Sequence, residues 1–438
     1  MRVVEKIAWA TRGFGESDDE TEVVCCISAG RTQEIGHSLP GRHNGGLGRK
    51  LTDLEPCEPR EIPLTQRPDW QPAFVLPNLA LAGEPNVSEY VPSELTIGLD
   101  GIAIVPATDD RVMAIRRWSS TADHFLSAFA DGYGKTISPA LLLVRNDYDS
   151  DLNRDVTPII SFRNAVAVSS ILAVRSHWPY ATSHGPAWSE AFDYHSVELA
   201  IDGRRLNLFS PALDSYNLDS DGLRLSVDVR IPRTSPIEVD EFLARRLGQL
   251  WSLLYRQRKD KWKARKVFRS LEAAYQALRM PSRHYGSLSE IGLATINWAT
   301  AVEVLAAPPN RNVNLWNCVE LIDEAEPSLE PRLNLRRYWV LNRRERRRQH
   351  MTLAARVFVH LHNARSKFVH GDKTSPRLLM PFGNGVPIMS LASSVYRVAL
   401  VSYLDRHWPQ SADDPLAWDL LPPPYEDHIL KALKADDG

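Results

Sequence analysis

The stretch His362-Asn363-Ala364-Arg365-Ser366-Lys367-Phe368-Val369-His370-Gly371-Asp372 decides how the second half of this chain is read. It closes an amphipathic run that begins near residue 351, and Gly371 stands where a helix needs a left-handed residue to stop. An arginine and a histidine near a helix end are also a minimal kit for cutting RNA without a metal. An imidazole moves protons near neutral pH, and a guanidinium grips a phosphate and offsets the charge that builds on it. Five residues at about 100° each place Arg365 and His370 roughly 140° apart on a continuous helix. They converge on one phosphate only where the helix ends near Gly371 or two subunits share the site. The chain holds a second Arg-x4-His, Arg279 to His284, but Pro281 breaks it.

Working outward, residues 236–408 read as helix after helix. Asp240 caps a run in which Leu243, Leu247, Leu250, Trp251 and Leu254 recur at helical spacing. A charged stretch, 256–266, leads into Phe268, Leu271, Tyr275 and Leu278, and Pro281 ends that seam. Further helices are expected over Ser289–Ala306, Leu315–Ala325, 333–348, 351–370 and 390–407, with no strand among them. An acidic, proline-containing tail follows over 409–438. The first 235 residues are mixed and strand-rich. Leu95–Leu99 and Ile102–Val105 flank Asp100-Gly101 as a hairpin, and His195–Ile201 and Leu223–Val229 alternate at period two. Phe162 to Trp178 is the helix candidate between them, and residues 28–72 carry no structural signal. The fold class is therefore multidomain α+β, with a strand-rich domain over 1–235 and an all-α bundle over 236–408.

The 438 residues are 43% hydrophobic and 24% charged, a globular profile. No uninterrupted apolar run nears the ~18 residues of a membrane span, and the acidic start lacks a secretory signal pattern, so the cytoplasm is the expected place. The net charge of −2 hides an asymmetry. Residues 1–240 hold 22 Lys+Arg against 34 Asp+Glu, residues 241–408 hold 28 against 13, and the tail holds 2 against 7. A front of −12 and a back of +15 are different surfaces, and the basic one should attract polyanions in a salt-dependent way.

Other features carry less. Gly45–Leu51 has glycines and a lysine without the phosphate-loop spacing, His37 and His43 lack partners at ligand spacing, and Cys25-Cys26 sits in an apolar run. No metal or cofactor is expected. Seven arginines, Arg336, Arg337, Arg343, Arg344, Arg346, Arg347 and Arg348, surround Tyr338 and Trp339. That composition suits phosphate contact and base stacking, and equally a solvated helix with its aromatic pair in the core. Glu303, inside the apolar helix 289–306, also has two readings. It salt-bridges an arginine such as Arg365, since an unpaired buried carboxylate is costly, or it points to solvent. His362 lies three residues before Arg365 and so can share its face.

Arg365-Ser366-Lys367-Phe368-Val369-His370-Gly371 resembles the RSxxxHG signature of the HEPN superfamily, in its Apea-like branch. Ile296–Leu305, with Trp298 and Glu303-Val304-Leu305, is similar to that branch's earlier helix, in the same order. The resemblance covers about residues 240–408. It implies a helical bundle that pairs as a homodimer, bringing two Arg/His motifs into one cleft. It further implies a metal-independent endoribonuclease of anti-phage or toxin–antitoxin systems, with Arg365 and His370 as the catalytic pair. Glu303, Asn363, Ser366 and Asp372 would be helpers, RNA the substrate, and a trigger or antitoxin a partner of the N-terminal domain. Many members carry Asn, Asp or His where Ser366 stands. The alternatives are a non-catalytic dimerisation or adaptor protein and a nucleic-acid-binding regulator using Arg336–Arg348.

Overall fold

The computed structural model describes residues 67–81, 94–131, 133–147, 156–176, 188–200, 202–210, 213–217, 225–227, 239–259, 261–279, 287–309, 312–325, 337–342, 347–382 and 386–409. The loop histidines, the Cys25-Cys26 pair, the glycine-rich 45–51 stretch and all of the tail beyond 409 lie outside them.

The first half supplies β1 (Trp70–Leu76), β2 (Ile102–Val105), α1 (Asp110–Trp118), α2 (Ser120–Ser127), β3 (Phe129–Asp131), β4 (Ala140–Arg145) and α3 (Thr157–Ser176). A 3-10 turn at Ser189–Phe192 leads to β5 (His195–Leu199), β6 (Leu206–Ser210), β7 (Leu213–Asn217) and β8 (Leu225–Val227). Six strands form one antiparallel sheet in the order β2-β4-β1-β5-β6-β7, while β3 and β8 pair in parallel.

Strand periodicity divides the sheet's side chains between two cores. Phe74, Leu76, Ile102, Ile104, Leu142 and Val144 face one core, and Val75, Ala103, Val105, Leu141, Leu143, Val197 and Leu199 face the other. The second is closed by Val112 and Ile115 of α1 and Ala122, Phe125 and Leu126 of α2. Because both faces are covered, β2 and β4 are apolar almost without interruption rather than alternating with polar residues. The strand expected at Leu95–Leu99 shrinks to a single antiparallel bridge, Leu95 to Ile104. Gly98 and Gly101 both take positive φ, and the Thr96 hydroxyl accepts from the Leu99 amide at 3.3 Å, so a local turn replaces the ladder.

The second half follows with α4 (Glu241–Trp251), a π-helical turn at Ser252–Arg256, α5 (Lys261–Ala277), α6 (Leu288–Ala306) and α7 (Leu315–Asp323). Then come β9 (Arg337–Asn342), β10 (Arg347–Met351), α8 (Leu353–His370), α9 (Pro376–Leu379) and α10 (Ile388–His407). Asp240 caps α4, its side chain accepting from the Leu243 amide at 3.0 Å. Ser287 and Glu290 close a capping box on α6, as Asn314 and Asn317 do on α7.

One expectation is overturned. Where a helix is read over 333–348, the described residues Arg337–Asn342 and Arg347–Met351 pair instead as antiparallel strands, with Val340 opposite Arg348 and Tyr338 opposite His350. Tyr338-Trp339-Val340-Leu341 is an aromatic and β-branched run that fits a pleated ladder. Arginines are good helix formers, and that preference is overridden here by strand pairing. Among the described residues the second half is therefore helical with one two-stranded element rather than all-α.

The sheet's first face and the helices share one core. Phe74, Ile104 and Leu142 belong to the same buried cluster as Leu247, Phe268, Trp298, Phe358 and Tyr396. α3 lies between them, packed on α4, α5 and α10. By length and composition α3 could cross a membrane, and in this fold it is the buried central helix, with Arg163 sandwiched between Tyr194 and Tyr275 at 4.7 and 4.0 Å. The Trp251 indole donates to the Pro158 carbonyl at 2.8 Å. At Gly248 a side chain's first carbon would fall 1.8 Å from the Ile97 carbonyl oxygen, so α4 meets the preceding half backbone to backbone.

Candidate functional site

Two helices position the candidate site. α6 is held at its C-terminal end by Lys266, whose ammonium donates to the carbonyls of Leu305 and Ala307, while the Ser270 hydroxyl donates to Ala301 at 2.7 Å. A cation on those carbonyls satisfies the end of the helix dipole and fixes the turn that carries Glu303. α8 starts at Thr352, and the Asp323 carboxylate at the end of α7 accepts from both its amide and its hydroxyl, at 2.9 and 2.7 Å.

α8 ends as its sequence requires. Gly371 sits at φ 68°, its amide donating to Phe368, and the Asp372 amide donates to Lys367 at 3.0 Å. This pair of bonds is a Schellman closure. The apolar stripe of α8 runs from Leu353 to Ala364 and then stops, so the last turn emerges from the core.

The carboxylate of Glu303 stands between two residues of that helix. One oxygen lies 3.6 Å from the Arg365 guanidinium and the other 3.6 Å from Nε2 of His362. Glu303 is mostly buried, its side chain 15% exposed, while that of Arg365 is 29% exposed. The Nε of Arg365 is itself buried without a hydrogen-bond partner. Burial raises the Glu303 carboxyl above the usual carboxylate range, opposed by the positive charge of Arg365. Burial depresses His362, and repulsion from Arg365 adds to it. Both shifts have the same first cause, the partial burial of this corner, which disfavours the charged form of each group.

Of the two readings of Glu303, the geometry has it facing α8 rather than solvent. His362 does share the Arg365 face. His370 is elsewhere: it is exposed at the helix end, and no hydrogen bond, ion pair or ring contact joins it to the other three among the described residues. Asn363 and Asp372 are exposed and Ser366 half-buried, none with a side-chain partner among the described residues. Of the seven arginines, Arg337 lies on β9 and Arg347 and Arg348 lie on β10; Arg336, Arg343, Arg344 and Arg346 lie outside the described residues. The hairpin enters α8 at its N-terminal end, and Arg365 follows Met351 by about 21 Å of helix at ~1.5 Å per residue.

Sequence reading missed Cys318 of α7, a buried thiol pushed up to about 12 by burial and by the charge of Glu303. It also gave no role to Gly292. A Cβ there would meet the Phe368 ring at 2.7 Å, so α6 and α8 pack closely only because that position is bare. A glycine inside an otherwise apolar helix was the available signal. No group of three or more His, Cys, Asp or Glu side chains among the described residues is placed to hold a metal.

Comparison with protein-family models, with curated proteins and with solved structures returns no match to this chain.

Proposed function

We propose that this chain is a HEPN-type, metal-independent endoribonuclease acting as a homodimer in the cytoplasm, with Arg365 and His370 at its catalytic site. The observation that carries the reading is the Glu303–Arg365 arrangement beside the Schellman-capped end of α8. Glu303 holds the guanidinium at 3.6 Å while 29% of the Arg365 side chain stays exposed to meet a phosphate, and the closure at Gly371 presents His370 outward. In cleavage, the 2′-oxygen attacks the adjacent phosphorus as its proton leaves, and the 5′-oxygen departs protonated. The products are a 2′,3′-cyclic phosphate and a 5′-hydroxyl. His370 moves one of those protons, and Arg365 offsets charge on the phosphoryl oxygens in the transition state.

Within one subunit Arg365 turns toward α6 and His370 toward solvent, so the site is completed by a second copy. Three exposed apolar side chains support that pairing. Leu288 and Leu293 of α6 are 45% and 58% exposed and Val369 of α8 is 48% exposed, and the Gly292–Phe368 contact brings their helix ends together. The hairpin arginines supply a sequence-independent hold on the RNA backbone, and residues 1–235 receive a trigger or an antitoxin.

The test is cleavage of end-labelled single-stranded RNA and a tRNA pool in EDTA. Wild-type protein should leave cyclic-phosphate ends, and His370→Ala should leave the RNA intact. Equal cleavage by both proteins would reject the site. Toxicity on expression of wild type but not of His370→Ala distinguishes an effector awaiting its trigger from a non-catalytic adaptor.

A further inference from the structure

A cavity of about 450 Å³ opens where the end of α3, the C-terminal turn of α5, the N-terminal half of α6 and the start of α10 meet. That size lies within the roughly 300–1,000 Å³ of ordinary small-molecule sites. Its walls are Ile291, Leu293, Ala294 and Met389, with Trp188 at one side. The charged groups around it offset one another. Arg279 is held by Asp193 at 3.1 Å and Glu190 at 3.8 Å, and Arg175, which stacks on Trp188 at 4.4 Å, feels the opposite charge of Glu190. Glu290 is committed to the cap of α6, accepting from the Ser287 amide at 2.7 Å. A ligand that needed a strong net charge would find none of either sign in surplus here.

Two neutral readers remain. The side-chain amides of Gln276 and Asn297 both line the cavity, and neither makes a hydrogen bond within the protein among the described residues. A primary amide presents a donor and an acceptor side by side, which matches the N6 donor and N7 acceptor on the edge of adenine. Apolar walls with a tryptophan suit the faces of a flat ring. We propose that this cavity binds an adenine-bearing small molecule of no net charge, with Gln276 or Asn297 reading the base edge.

The site is positioned to report its occupancy. α6 carries the cavity residues Glu290 to Asn297 and, farther along, Glu303, and Gly292 between cavity residues meets Phe368, two residues before His370. The binding claim does not depend on the nuclease reading, and its test reads binding alone.

The experiment is calorimetry and thermal melting of the full chain with adenosine, guanosine and indole as probes. Adenosine should bind and raise the melting temperature. Guanosine, whose corresponding N7/O6 edge offers two acceptors, and indole, which lacks the donor–acceptor pair, should bind at least tenfold more weakly. Ala294→Trp should abolish binding by filling the cavity. Of Gln276→Leu and Asn297→Leu, at least one should weaken binding tenfold or more; Gln276 is exposed, so its change leaves the fold intact. Absence of adenosine binding, equal affinity for guanosine or indole, or unchanged affinity in a folded Ala294→Trp protein would overturn the proposal.

Discussion

Two arginine–carboxylate pairs in this molecule use the same chemistry for opposite ends. Arg397 of α10 and Asp240 at the start of α4 are almost wholly enclosed, with side chains 0% and 4% exposed and an Nε-to-oxygen distance of 2.5 Å. The second Asp240 oxygen caps α4, and the Asp240 amide donates to Ser169 of α3, so one residue ties three helices together. Arg365 and Glu303 sit a full 3.6 Å apart at a partly open corner, with side chains 29% and 15% exposed. An enclosed, tightly closed pair can only hold the fold. A loose, half-wet pair leaves hydrogen-bonding capacity for something else.

The largest effect should come from breaking the dry pair. Arg397→Ala leaves a buried carboxylate without its cation, and equilibrium unfolding should show a loss of about 3–5 kcal/mol. Replacing both partners with apolar residues should recover part of that loss, short of the N-cap contribution of about 1 kcal/mol. Next in size is Gly292→Ala. The Phe368 ring must shift to admit a methyl group, at a cost of roughly 1–3 kcal/mol, and RNA cleavage should fall with it. Glu303→Gln should change stability by no more than about 1 kcal/mol, as partly exposed pairs do, yet weaken cleavage by releasing Arg365.

The smallest effect is one of pH. Burial and the nearby Arg365 depress His362 below the ordinary histidine value of about 6.5, so the unfolded chain takes up a proton before the folded one does. Stability is therefore fullest above about pH 6.5 and declines as pH falls through the folded value. Melting curves of wild type and His362→Gln should diverge below that pH, with the variant losing less. Parallel curves would show that His362 is not buried beside Arg365.

Each pair was half legible in the sequence. Asp240 before a helical apolar stripe announces a cap, and Gly371 after the last periodic residue announces a stop, because both are local requirements of helix ends. That Asp240 also binds Arg397 is a contact over a separation of 157 residues, and periodicity carries no such information. Glu303 could be read as paired or solvated, and only the crossing of α6 and α8 decides between them. The hairpin over Arg337–Met351 misled for another reason. Its arginines permit a helix while its short aromatic run favours a strand, and strand pairing depends on a partner that a helical period does not reveal. The two faces of the sheet were equally hidden, since strands apolar on both sides have no alternation to read.

The most direct test of the contrast is Arg365→Ala, with stability and RNA cleavage measured on the same preparation. The account predicts a loss of at most about 1 kcal/mol in unfolding free energy, together with the disappearance of EDTA-resistant cleavage. Destabilisation on the scale of Arg397→Ala, or cleavage that survives in a folded Arg365→Ala protein, would contradict it and make Arg365 one more structural arginine.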